Sequence, residues 1–272
     1  MAGAQELAAY AFDVAVASDV GTARKDNEDS CAHFVDGENV CLVVLADGVS
    51  GLVGGATASG RAVETTVRTF RELAGMRPDR RLVRAVQAAN IAVYDLAVVV
   101  PELRGMATTL TAAVLDRGEV MVAHVGDCRS YLLRAGRVRQ LTKDHTVAGA
   151  RVRMGLMSEE QARLHRDRSV LTRALGRELI VAMDRIALTL ERDDRVVLCS
   201  DGLYNVLDEI ELARIARAES AQQGCRALVE AANARGTADN LTVAILHLTG
   251  SPPARPPSGL RARLRRLTGR DA

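Results

Sequence analysis

Six short apolar runs, at residues 40–46, 109–115, 120–125, 130–133, 195–199 and 241–248, constrain the fold of this 272-residue chain more than any other feature. Several are apolar at consecutive positions, so both faces of those strands must be covered, by a second sheet or by helices. Between the first two runs lie two stretches of helical period. Ala62, Val63, Thr66, Val67, Phe70 and Leu73 form one stripe, and Leu82, Val86, Ala89, Val93 and Leu96 form another, with the spacing of three and four that a single helix face requires. Pro78 suits the opening of the second helix and Pro101 its end. Two further helices are expected at about residues 208–218 and 221–234, ahead of the last run. Strands and helices thus alternate in blocks instead of regular β-α-β units, which favours an α+β sandwich over a doubly wound sheet. Residues 143–176 are polar, arginine-rich and only patchily helical, and read as an excursion over the surface.

With 48% hydrophobic and 26% charged residues the chain can bury a sizeable core. From Ser251 the composition changes to S-P-P-A-R-P-P-S-G, a proline-rich linker, followed by a basic stretch with Leu260, Leu264 and Leu267 on one helical face. A solvated tail is the plain expectation there. Six arginines of this tail face one acid, Asp271, so the body without it is mildly acidic and gives no reason to expect nucleic acid. Cys31, Cys41, Cys128, Cys199 and Cys225 are odd in number and lack C-x-x-C spacing, which suits free thiols of a reducing compartment. No basic leader and no run of about 18 apolar residues is present, so no membrane span is expected and a cytoplasmic location follows.

The chemistry lies where the apolar runs meet acids. Asp47 ends the first run in V-V-L-A-D-G-V-S-G, Asp127 follows the third in V-A-H-V-G-D-C-R, Asp201 follows the fifth in V-L-C-S-D-G-L, and Asp239 opens the last in T-A-D-N-L-T-V. One strand ending in Asp-Gly is an ordinary turn signal. Four such acids brought to one end of a sandwich would repel one another, and a bound cation is the economical resolution. Carboxylates and a backbone carbonyl, such as that of Gly48, are the ligands Mg²⁺ and Mn²⁺ prefer. Arg24 stands four residues before Glu28 and Asp29, and a guanidinium fork can hold phosphate oxygens beside such a centre. Other chemistries fit less well. The run G-L-V-G-G-A-T-A-S-G fails as a nucleotide loop because Arg61 and Ala62 follow Gly60. The five histidines have no H-E-x-x-H spacing, and for His145, in L-T-K-D-H-T, a structural role is expected.

In order along the chain, S-D-V-G-x-x-R-x-x-N-E-D, A-D-G-V-S-G, M-A-T-T-L-T-A, H-V-G-D-C-R-S-Y, L-T-K-D-H-T, L-T-R-A-L-G, C-S-D-G-L-Y and T-A-D-N-L-T-V together resemble the protein phosphatase 2C family, the metal-dependent Ser/Thr phosphatases, in its compact bacterial form. The resemblance spans about residues 10–248. It implies a β-sandwich of two antiparallel sheets flanked by pairs of helices, a phosphatase domain over residues 1–249, a flap at about residues 145–176, and a tail over residues 250–272. It also implies two or three Mn²⁺ or Mg²⁺ ions. Asp47 would bridge two of them, Gly48 would ligate one through its carbonyl, Asp201 and Asp239 would complete the other, and Asp127 with Asp201 would hold a third. Arg24 would bind phosphate, Glu28 and Asp29 would order metal-bound water, and Asn240 would support Asp239. The implied reaction is direct attack of an activated water on a phosphoseryl or phosphothreonyl group, in a monomer that opposes a Ser/Thr kinase. Some relatives carry a histidine just after the Asp-Gly or a few residues later, where this chain has Val49 and Leu52, so a metal-bound water is the expected proton donor. A catalytically silent phosphoprotein-binding module would have lost one of these acids, and none is lost. A hydrolase of small phosphorylated metabolites would use the same metals.

Overall fold

The computed structural model describes residues 11–37, 39–49 and 53–250. Its framework is two five-stranded antiparallel sheets. One has the order β1 (Phe12–Asp19), β10 (Leu241–Leu248), β9 (Arg195–Cys199), β6 (Arg129–Arg134), β7 (Arg137–Gln140), and the other β2 (Asp29–Asp36), β3 (Val40–Asp47), β4 (Leu110–Asp116), β5 (Glu119–Val125), β8 (Asp184–Thr189). The continuous apolar runs now have a physical account. On β3, Cys41, Val43 and Leu45 point into the core between the sheets, with Leu198 and Leu246 from the opposite sheet. The alternate residues Leu42, Val44 and Ala46 pack outward against helices. A strand sandwiched in this way has no face left for polar side chains.

The outer layers are helical. α1 (Gly55–Glu72) and α2 (Pro78–Val99) cover the β2–β8 sheet, burying Ala62, Phe70, Leu82, Val86, Ala89 and Val93 against it. Pro78 opens α2, and Pro101 begins a short 3-10 turn beyond it. α2 is also the one described helix long and apolar enough in composition to cross a membrane, and its stripe buried against the sheet accounts for that composition. The other sheet is covered by α5 (Asp201–Tyr204), α6 (Glu209–Ile215) and α7 (Ala221–Ala234). The side chains of Asp208 and Ser220 cap α6 and α7 by accepting from the N–H groups of Glu211 and Gln223.

The excursion at residues 143–176 carries α3 (Val147–Arg153) and α4 (Glu159–Leu164). It is tied at its base by isolated bridges between Thr146 and Leu171 and between Thr108 and Leu175. The five cysteines are free, and four are buried. The proline-rich linker and the Leu260, Leu264, Leu267 face lie outside the described residues, as does Leu52. Four strands, β1, β2, β7 and β8, were not among the six apolar runs, and all four are sheet edges.

Candidate metal centre

Asp47 sits at the end of β3 and is fastened through its backbone. Its N–H donates to Thr109 Oγ1 at 2.9 Å, and its carbonyl accepts from Thr109 N–H and Thr108 Oγ1, both at 2.8 Å. Both main-chain groups are thus held, and the carboxylate lies beside that of Asp29. The next residue must be small: a Cβ on Gly48 would stand 2.5 Å from the backbone of Gly55 at the start of α1, and a Cβ on Gly55 would stand 2.5 Å from Glu28 Oε1. The pair of glycines thereby brings Glu28, the Asp47–Gly48 turn and the positive end of α1 together. Gly48 N–H also donates to the Glu28 carbonyl at 3.1 Å.

Asp29 pairs directly with Asp47 across β2 and β3 and is buried, where its Oδ2 accepts from Ser200 Oγ at 2.7 Å. Ser200 is the residue before Asp201, so this one hydrogen bond joins the two sheets at the acidic end. Asp201 begins α5, and Gly202 packs so tightly on the backbone of Asn240 that no side chain fits there. Asp127 is buried on the turn after β5; Gly126 before it has φ +113°, a backbone state that favours glycine. The Asp127 carbonyl accepts from Tyr204 Oη at 3.1 Å. Asp127 does not pair with Arg129, whose guanidinium makes a two-pronged contact with Asp144 and stacks 3.8 Å from the centre of the Tyr204 ring.

Asn240 has a definite part that its sequence position did not disclose. Its Oδ1 accepts from Glu28 N–H, and its Nδ2 donates to the carbonyls of Val20 and Asp26, each at 2.9 Å. It therefore staples the loop bearing Arg24 and Glu28 onto the start of β10, beside Asp239. Arg24 reaches across that junction, with Nη2 2.9 Å from Asp239 Oδ2.

The electrostatics are those of acids short of positive charge. Burial, followed by neighbouring acids, raises Asp201 to about 7. Burial raises Asp29 to about 6, against the hydrogen bond from Ser200. Asp47 and Asp127 are raised well above the usual carboxylate range, first by burial and then by other acids: for Asp47 these are Asp29, Asp201, Asp127 and Asp239. Arg24 and Arg129 offset this least of all, acting on Asp201 and Asp127 respectively. In donor type and charge the residues fit divalent cations: hard oxygens whose mutual repulsion a cation would relieve. Among the described residues no three His, Cys, Asp or Glu side chains are already disposed around one point as a ligand set, and Asp239 is engaged by Arg24. The acids stand out in the sequence, whereas Thr108, Thr109, Ser200 and Tyr204, which hold them, carry no such mark. Of these, Thr108 and Thr109 are visible only as the paired threonines of M-A-T-T.

The sequence profile described as Protein phosphatase 2C matches residues 22–242. The chain is 34% identical over 234 residues to the serine/threonine phosphatase stp of Listeria welshimeri, covering 84% of this chain and 93% of that protein. It is 36% identical over 236 residues to the serine/threonine protein phosphatase PstP of Mycobacterium tuberculosis, covering 85% of this chain and 44% of that longer protein. The crystal structure of Mycobacterium tuberculosis PstP/Ppp superposes with a TM-score of 0.78 at 33% identity, over 87% of this chain and 98% of that one. The catalytic domain of PstP in complex with two manganese ions gives a TM-score of 0.76 at 32% identity, over 87% and 97% of the two chains. The acids at the sandwich end, the order of the motifs and the sheet architecture thus agree with a profile that spans most of the chain, which belongs to the protein phosphatase 2C family.

Proposed function

We infer that the chain is a metal-dependent protein serine/threonine phosphatase that hydrolyses phosphoserine and phosphothreonine in proteins. The observation that carries the reading is the set of acids at one end of the sandwich, Asp29, Asp47, Asp127 and Asp201, whose protonation is favoured by burial and mutual repulsion. The named activity of the relatives supports it. When bound, divalent cations supply Lewis-acid charge and acidify water for attack on phosphorus. Asp47, the Gly48 carbonyl, Asp201 and Asp239 would hold two Mn²⁺ or Mg²⁺ ions, and Asp127 with Asp201 a third. Glu28 and Asp29 order water at the centre. Arg24 exchanges its partner Asp239 for the substrate phosphate, which its planar fork suits. Asn240 keeps that loop in register.

The catalytic domain is assigned to residues 1–249 with residues 145–176 as a flap, and residues 250–272 as a linker and tail outside the chemistry. A monomer acting in the cytoplasm on the products of a Ser/Thr kinase is the biological setting this reading implies. The test is phosphate release from a phosphothreonine peptide after chelation, with and without added Mn²⁺. Turnover restored by Mn²⁺ is expected; turnover that survives chelation unchanged, or never returns with metal, would overturn the assignment.

A further inference from the structure

His145 is almost fully buried, with 1% exposure, yet three segments meet at its polar atoms. It grips Gly126 from both sides: Gly126 N–H donates to Nδ1 at 3.1 Å, and His145 N–H donates to the Gly126 carbonyl at 2.7 Å. Because Nδ1 accepts, the ring proton lies on Nε2. Nε2 stands 3.1 Å from Asp184 Oδ2 at the start of β8, which takes that proton as a hydrogen bond; Arg173 Nη1 lies 3.2 Å from the same Nε2 and donates to the other oxygen of Asp184 at 2.8 Å. The His145 carbonyl accepts from Thr172 N–H at 2.7 Å on the returning limb of the 143–176 excursion. Gly126 has φ +113° and directly precedes Asp127. The turn that aims Asp127 is thus held by one imidazole at the base of the excursion, whose own orientation is set by Asp184 and whose backbone is tied to the returning limb at Thr172.

We propose that His145, oriented by Asp184, is a positioning residue that sets the aim of Asp127 and couples it to the seating of the 143–176 excursion. The proposal rests on the reading of Asp127 as a functional carboxylate. Two substitutions separate the two ends of the ring. In His145→Asn the amide oxygen can take the place of Nδ1 and keep the Gly126 contact, while the side chain is too short for Asp184. In His145→Gln the amide nitrogen can reach Asp184, while no atom replaces Nδ1.

The experiment combines two readouts with Asp127→Asn as a control: amide hydrogen exchange of the metal-free protein, and kcat and KM on a phosphothreonine peptide at saturating Mn²⁺, below the melting transition of each variant. In His145→Gln the Gly126 amide should exchange about tenfold faster than in wild type, as expected on loss of one hydrogen bond. Its kcat should fall by about 10-fold or more with KM little changed, the cost typical of removing a partner that orients a functional ligand. His145→Asn should retain Gly126 protection and lose clearly less kcat than His145→Gln. Wild-type kcat in His145→Gln, or equal losses in the two variants, would overturn the proposal while leaving the metal centre standing. Wild-type kcat in Asp127→Asn would remove Asp127 from the site, and the proposal with it.

Discussion

The two ends of β9 carry carboxylates in opposite electrical settings. Asp194, immediately before the strand, is 2% exposed and meets Arg134 in a two-pronged contact, Nε at 3.0 Å and Nη2 at 2.5 Å, with Glu191 N–H completing it at 2.7 Å. Asp201, just beyond the other end, faces Asp239 and Asp29 and is raised to about 7. The first carboxylate has its cation built into the fold; the second shares its space with other acids. A buried charge with its own guanidinium serves the structure, whereas clustered acids with little compensation call for a cation from outside. That difference separates scaffold from site within one strand.

The contrast yields four expected outcomes, from the largest effect to the smallest. Asp47→Asn or Asp239→Asn should lower kcat on a phosphopeptide by about a thousandfold or more, since each would lose a charged ligand of the ions that, on the proposed assignment, would supply several kcal/mol of transition-state stabilisation. Circular dichroism should show the fold unchanged, and most of the wild-type kcat in either variant with Mn²⁺ would break the comparison. Arg24→Ala should raise KM for the peptide by about tenfold while Mn²⁺ affinity by calorimetry changes little, because a guanidinium holds phosphate and cannot ligate a cation. An equal loss of Mn²⁺ binding would assign Arg24 to the metals.

Asp194→Asn should do the reverse of the site variants. Its kcat should stay near wild type, while Tm falls by about 2–4 °C, the shift about 1 kcal/mol makes in a chain of this size; the penalty is held to that scale because Arg134 is one-third exposed. The smallest effect concerns pH. The folded pKa of Asp201 lies above its unfolded value, so the metal-free protein binds that proton more tightly when folded and loses stability as pH rises from about 4 to about 7. In chelator, the Tm of Asp201→Asn minus that of wild type should therefore grow between pH 5 and pH 8. Scanning calorimetry that finds a constant difference would contradict the electrostatic reading.

The same physics explains which parts of the fold could be read from sequence. The six apolar runs form β3, β4, β5, β6, β9 and β10, the interior strands of the two sheets. They are apolar on both faces because each lies between the opposite sheet and a helical layer. The edge strands β1, β2, β7 and β8 keep partly exposed positions; β8 alternates half-buried and exposed residues throughout, and β7 reads R-V-R-Q. A short alternating strand with charged residues is indistinguishable from a polar loop until its partner is known. Asp47, Asp127, Asp201 and Asp239 were legible for a similar reason, since each lies at or just beyond an end of a continuous apolar run, whereas Asp29, at the start of the edge strand β2, was visible only beside Arg24 and Glu28. The residues that hold them were not: Asn240 bonds to residues more than 200 positions away, and His145 acts across a turn 19 residues upstream. Such long-range hydrogen bonds leave no local period or composition to detect.

If the acids gathered at the Asp201 end of β9, with Asp47 of β3 among them, bind cations and Asp194 at its start does not, titration calorimetry of Mn²⁺ into chelated wild type, Asp47→Asn and Asp194→Asn separates the two ends. Multiple binding events in wild type, their loss or sharp weakening in Asp47→Asn, and an unchanged isotherm in Asp194→Asn are the predicted results; a wild-type isotherm from Asp47→Asn would contradict the account.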